Sequence, residues 1–128
     1  MMFGYRVVYR RRRVRKASPA SKKAYTLHKE AARALVHAKI AQFNAHYGYT
    51  LNKIFIKNHQ SRWGSCSSRG NLNFNYKIVF LPPELQEYLV VHELCHLGAL
   101  NHSKDFWALV EQTTPHHRML RKKLKEVH

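Results

Sequence analysis

His92-Glu93-Leu94-Cys95-His96 lies inside an apolar run that includes Leu89, Val90, Val91, Leu97 and Leu100. No other stretch constrains the fold as strongly. The run calls for a buried helix, yet buried helices rarely hold two histidines and a carboxylate unless something pairs with them. On a helix, positions i and i+4 are neighbours, with Cβ atoms about 5–6 Å apart. Two imidazoles so placed can hold one metal ion, and H-E-x-x-H is a zinc-binding spacing. Glu93 follows about 100° round the helix from His92, which puts a carboxylate beside the metal without using it as a ligand. A catalytic zinc takes three protein ligands and keeps one position open. His102 is the candidate for the third, with Glu111 and His116 as alternatives. The expectation is one Zn²⁺ per chain, held by His92 and His96 with His102 as the candidate third ligand and Glu93 beside it.

This spacing makes demands on the backbone. Pro83 suits the first helical position, and Glu84 and Glu87 suit the positive end of the helix. Were the helix to continue, His102 would stand about 120° round from His96 and about 9 Å further along. The helix is therefore expected to end near Leu100 or Asn101, with Asn101 suited to a left-handed turn. Ser103 can then cap a new helix with Asp105 in its first turn and Phe106, Trp107 and Val110 on its apolar side. A last helix starts at Thr114 and Pro115, with Met119, Leu120 and Leu124 at helical spacing.

Upstream, Met1 to Val8 reads as a short strand and Arg10 to Ser21 as a basic linker. Ala32, Val36, Ile40, Phe43 and Tyr47 form the stripe of a helix from about Thr26 to Tyr47, stopped by Gly48. Lys29, Arg33 and Lys39 read as its solvated face. Lys53 to Asn58 is a strand. The segment 61–67 and the alternating 71–75 read as an antiparallel pair joined near Gly70. Tyr76 to Leu81 fits either strand or helix. The division expected is a basic N-terminal segment, 1–24, and a domain, 25–128. The fold class is α+β, with a small antiparallel sheet beside the motif helix.

The chain has 128 residues, enough for one domain with a core. Its formal net charge of +16 bears on partners rather than on fold. The sharpest cluster is Arg10, Arg11, Arg12 and Arg13; a second gathers Arg118, Arg121, Lys122, Lys123 and Lys125. A solvated basic surface and a nucleic-acid partner weigh about equally for them. Cys66 and Cys95 belong to no C-x-x-C pair, which argues against a cysteine zinc site. Cys95 is read as a core residue. Lone thiols, no secretory signal order at the start and no apolar run of about 18 residues give the expectation of a cytoplasmic protein off the membrane.

Several segments together resemble the YgjP-like metallopeptidases, relatives of the SprT and WLM zinc proteases. They are Ser61-Arg62-Trp63-Gly64-Ser65-Cys66-Ser67, Leu72-Asn73-Phe74-Asn75, His92 to Leu97, and Asn101-His102-Ser103 with Phe106-Trp107. The resemblance covers roughly residues 25 to 125 and is more specific than the five-residue motif alone. It implies a zincin-like α+β fold, His92, His96 and His102 as ligands, and Glu93 as the catalytic carboxylate. The function expected is hydrolysis of peptide bonds by zinc-activated water, with a polypeptide as substrate. A strand edge at Arg62, Trp63, Gly64 and Ser65 could pair with an extended substrate, although Trp63 reads better as a core or hairpin anchor. Tyr88, Arg62, His116 and His117 are candidates to stabilise the oxyanion. The alternative is a nucleic-acid-binding module, or a protease recruited to nucleic acid, using its basic ends and, in the first case, a structural zinc.

Overall fold

The computed structural model describes the backbone of residues 4–8 and residues 17–127 in full. Arg10 to Arg13, the sharpest basic cluster, lie outside the described residues. Strand β1 spans Gly4–Val8, helix α1 Pro19–Tyr47, β2 Ile54–Lys57, β3 Arg62–Ser67 and β4 Leu72–Asn75. A short 3₁₀ helix, Tyr76–Phe80, leads into α2, Pro83–Cys95, followed by α3, Lys104–Glu111, and α4, His117–Lys125.

The motif helix α2 is the centre. Ten of its 13 residues are buried, including His92, Glu93 and Cys95. A helix apolar on most sides has to be covered on most sides. Leu85, Leu89, Val90 and Leu94 join the main core with Ala32, Val36 and Ile40 of α1, Leu72 and Phe74 of β4, and Leu120 and Leu124 of α4. Val91 and Cys95 face a second cluster with Phe106 and Val110 of α3. Polar groups fix its N-terminal half: Gln86 donates to the Ile78 carbonyl at 3.1 Å, and Lys39 pairs with Glu87 at 2.6 Å.

That last pair corrects the reading of Lys39 as solvated, since it bridges α1 to α2. The expected linker also ends earlier than Ser21. Ser18 caps α1, its side chain accepting from the Ser21 N–H at 3.0 Å, and Pro19 occupies the first turn. Ser followed by Pro is a helix start as readily as a loop, because the hydroxyl satisfies an orphan N–H and the ring presets φ. The boundary expected at 24–25 therefore falls inside α1. Residues 4–8 likewise belong to the sheet, paired with β3.

The sheet runs β1-β3-β4-β2. The antiparallel pair turning at Gly70 is β3 with β4, and Gly70 has φ +81°, a value that suits glycine. The sheet is mixed, not wholly antiparallel. Strand β2 lies parallel to β4, Ile54 opposite Leu72 and Ile56 opposite Phe74. Parallel neighbours need a long connection, and β3 itself supplies it: β4 returns between β3 and β2 and pairs with both. The ambiguous stretch after β4 is 3₁₀ because the Asn75 side chain caps it, accepting from the Lys77 N–H at 3.0 Å. Among the described residues, no helix is long and apolar enough to cross a membrane.

Leu89 is fully buried where α2 meets the main core. Leu89→Ala is expected to destabilise the protein by about 2–5 kcal/mol, read by equilibrium urea unfolding. A loss below about 1 kcal/mol would contradict this packing.

Candidate metal centre

The C-terminal end of α2 is tighter than expected. Regular helix stops at Cys95, and the N–H groups of His96, Leu97 and Gly98 bond carbonyls three residues back. No described residue other than glycine has positive φ, so Asn101 does not supply a left-handed turn. The chain turns by over-winding instead. Gly98 serves that turn by closeness rather than by φ: a Cβ there would collide with the Tyr49 ring and hydroxyl. Ser103 then caps α3 as expected, accepting from the Phe106 N–H at 3.3 Å. The early stop is what carries His102 back over the helix end.

Three imidazoles meet there. Nε2 of His102 lies 3.2 Å from Nε2 of His92 and 3.3 Å from Nε2 of His96. Nitrogens held tetrahedrally at about 2.0–2.1 Å from one zinc stand about 3.3 Å from one another. Both separations from His102 therefore match those of a tetrahedral site. His92 and His96 are buried and His102 is exposed, so the cluster opens on one side.

The outer nitrogens are held. Nδ1 of His96 donates to the Ala99 carbonyl at 2.8 Å, which leaves the Nε2 lone pair directed at the cluster. The Tyr88 hydroxyl hydrogen-bonds Nδ1 of His92 at 3.3 Å. Rings lock the arrangement from outside. Phe106 stacks on His96 with centroids 4.0 Å apart, and Trp107 stacks on His102 at 5.8 Å. Burial lowers the pKa of all three histidines: His96 to about 2, His92 well below its ordinary value, and His102 less, helped by the Arg121 charge. Neutral imidazoles are the form that binds metal. The thiols are inert by comparison. Burial pushes Cys66 up to about 12, with the Glu93 charge adding, and Cys95 up to about 11. Neither offers a thiolate at neutral pH.

Glu93 is fully buried and faces β3. A Cβ on Gly64 would lie 2.9 Å from Glu93 Oε2 and 2.9 Å from the Asn73 carbonyl oxygen. Gly64 thus makes room for the carboxylate. Its strand is not a free edge: β1 pairs on one side and β4 on the other. The expected substrate-pairing edge at Arg62 to Ser65 is therefore occupied by the chain's own first strand. Trp63 sits in the main core, the Arg62 carbonyl accepts from Asn75 Nδ2 at 3.0 Å, and Ser65 Oγ accepts from Asn73 Nδ2 at 3.2 Å. Glu111 and His116 line a groove beside the cluster rather than joining it. Of the oxyanion candidates, Tyr88 is buried against His92, and His117 stacks on Trp107 at 5.0 Å.

Two groups escaped the sequence reading. Arg121, read from sequence only as part of the second basic cluster, holds its guanidinium 5.5 Å from the Trp107 ring. The Ala99 carbonyl fixes a ring orientation, and no side-chain pattern announces a backbone acceptor. For Arg121 there was a signal, its i+4 spacing from His117 on one helix face.

The family described as YgjP-like, metallopeptidase domain, matches residues 6–127. The chain belongs to this family. Among solved structures, the YgjP-like chain is similar to the metallopeptidase zymogen of Pyrococcus abyssi abylysin. The two are 22 % identical, with a TM-score of 0.64 over 71 % of this chain and 92 % of that one. That likeness is one of fold, α+β and zincin-like. No curated protein matches the sequence.

Two outcomes follow from the geometry. Gly64→Ala is expected to cost about 1–3 kcal/mol in urea unfolding, because the Asn73 backbone cannot yield cheaply. The chelator-treated protein is expected to melt at lower temperature as pH falls. Above about pH 6.5 His92 and His96 are neutral in both folded and unfolded chains; below it their rings take up protons in the unfolded chain first. Stability is lost at about 1.4 kcal/mol per buried ring per pH unit, read by circular dichroism melts from pH 7.5 to 5.

Proposed function

We propose that this YgjP-like chain is a zinc-dependent peptidase in which His92, His96 and His102 hold one Zn²⁺ and Glu93 is the general base. The observation that carries this reading is the set of Nε2 separations, 3.2 and 3.3 Å, at the end of a helix that also carries Glu93. When bound, Zn²⁺ supplies Lewis acidity, acidifying water toward a pKa of about 7 and polarising the scissile carbonyl.

The chain's own residues do the rest. Ala99 and Tyr88 hold the outer nitrogens of His96 and His92, so the rings keep their aim. The Glu93 carboxylate accepts a proton from the attacking water and hands it to the leaving amine. Its position against Gly64 limits the carboxylate's freedom, which favours one direction of transfer. Phe106 and Trp107 wall the cluster, and the buried rings of His92 and His96 are kept from bulk water while His102 faces the opening. Closed structural zinc sites commonly use four ligands including cysteine. Here three nitrogens converge, and the buried thiols remain protonated, which weighs against a purely structural ion.

The test is zinc content and turnover in parallel. Wild type purified without added metal is expected to hold about one zinc, as a site of this ligand set does. His102→Ala is expected to hold markedly less. Glu93→Gln is expected to keep its zinc and lose at least about 100-fold in cleavage of an unfolded protein substrate. A Glu93→Gln protein as active as wild type would remove Glu93 from the chemistry. Zinc content unaffected in His102→Ala would remove that ligand.

A further inference from the structure

A cavity of about 990 Å³ lies between α3 and α4 and opens beside His102 and Trp107. Its walls carry Lys104, Arg118, Arg121, Lys122 and Lys125, against one acid, Glu111. Among the described residues, the ion pairs are Arg33 with Glu30, Lys39 with Glu87 and Lys123 with Glu84, so none of the five groove cations is paired. The division along α4 is informative. Lys123 reaches Glu84 of α2 at 3.2 Å, whereas Arg118, Arg121, Lys122 and Lys125 turn to the groove.

Like charges at i and i+4, as at Arg118 with Lys122 and Arg121 with Lys125, disfavour a helix. A walled groove of one sign also focuses the field on whatever enters it. Both facts point to an anionic occupant. Arg121 is the best placed of the five. The Trp107 ring holds its guanidinium, and Trp107 itself stacks on His102. A carboxylate bound there by the guanidinium fork would sit one ring away from the cluster. Met119, half exposed, and Pro115 give the same groove an apolar part.

We propose that this groove binds an acidic stretch of the polypeptide substrate next to the metal centre, so that the enzyme selects segments rich in Asp and Glu. The proposal rests on the peptidase reading above. A polypeptide is favoured over nucleic acid because the groove opens on the centre, and what lies in it is what a peptidase cleaves.

Binding and cleavage are measured separately. Zinc-loaded Glu93→Gln protein is titrated into fluorescein-labelled decapeptides alternating Ala with Glu, Gln or Lys, and anisotropy gives Kd. The Glu peptide is expected to bind at least about ten-fold tighter than the Gln peptide, with the Lys peptide weakest. Arg118→Glu with Arg121→Glu is expected to erase that preference, while Lys22→Glu with Lys23→Glu on α1 leaves it within about two-fold. Circular dichroism melts confirm that both variants fold. Wild type is then given the same three peptides, and the Glu peptide is expected to be cut fastest.

Equal binding of the Glu and Gln peptides overturns the proposal. So does a single-stranded DNA decamer that binds tighter than the Glu peptide and is lost with the same two arginines. Equal cleavage of all three peptides overturns it while leaving the peptidase reading intact. Acid-selective binding with no cleavage of any peptide sinks the peptidase reading and, with it, the bound segment's assignment as substrate.

Discussion

The enclosure of α2 is the constraint on which the rest of the structure depends. Its apolar residues point in nearly every direction, so α1, the sheet, α3 and α4 all pack on it. The two histidines and Glu93 ride on a helix that neighbouring elements have already made rigid. A site built on such an element keeps its geometry better than one built on loops. The cost is that three polar side chains must be accommodated in an apolar interior. The structure accommodates them by directing the imidazoles to one end and by leaving a glycine-sized space for the carboxylate.

Much of this was legible in the sequence, and the reasons are specific. The i, i+4 histidines in an apolar run define both a helix and its buried state. The position of His102 requires the helix to stop, and Ser103 with Asp105 marks where the next begins. Other features were hidden because they depend on partners far along the chain. The turn before His102 was assigned to Asn101, but over-winding and the Gly98 contact with Tyr49 accomplish it. Ser18-Pro19 reads equally as a linker or as a cap, and only the packing of α1 decides. The parallel placement of β2 beside β4 is a matter of topology that alternation cannot express.

The basic composition divides in the same way. Counting charges treats every lysine and arginine alike. In the folded chain some bridge elements, as Lys39 and Lys123 do, and others line one groove. The Arg121 side chain belongs to the neighbourhood of the site, although in sequence it is one member of a basic cluster. Within α4, what separates Lys123 from Arg118, Arg121, Lys122 and Lys125 is the face each occupies once Leu120 and Leu124 are buried.

The two tryptophans of this chain occupy unlike surroundings. Trp63 is sealed in the main core, while Trp107 is half-buried among His102, His117 and Arg121. Indole emission responds to the polarity and charge beside it, so the protein carries two optical channels. One follows the core in which β3 packs. The other follows the site, where stacked imidazoles and a guanidinium surround the ring, and it responds to events that leave the core untouched. Substituting either tryptophan by phenylalanine would isolate the other channel, and the spectroscopy of folding and of site occupancy would separate within a single chain.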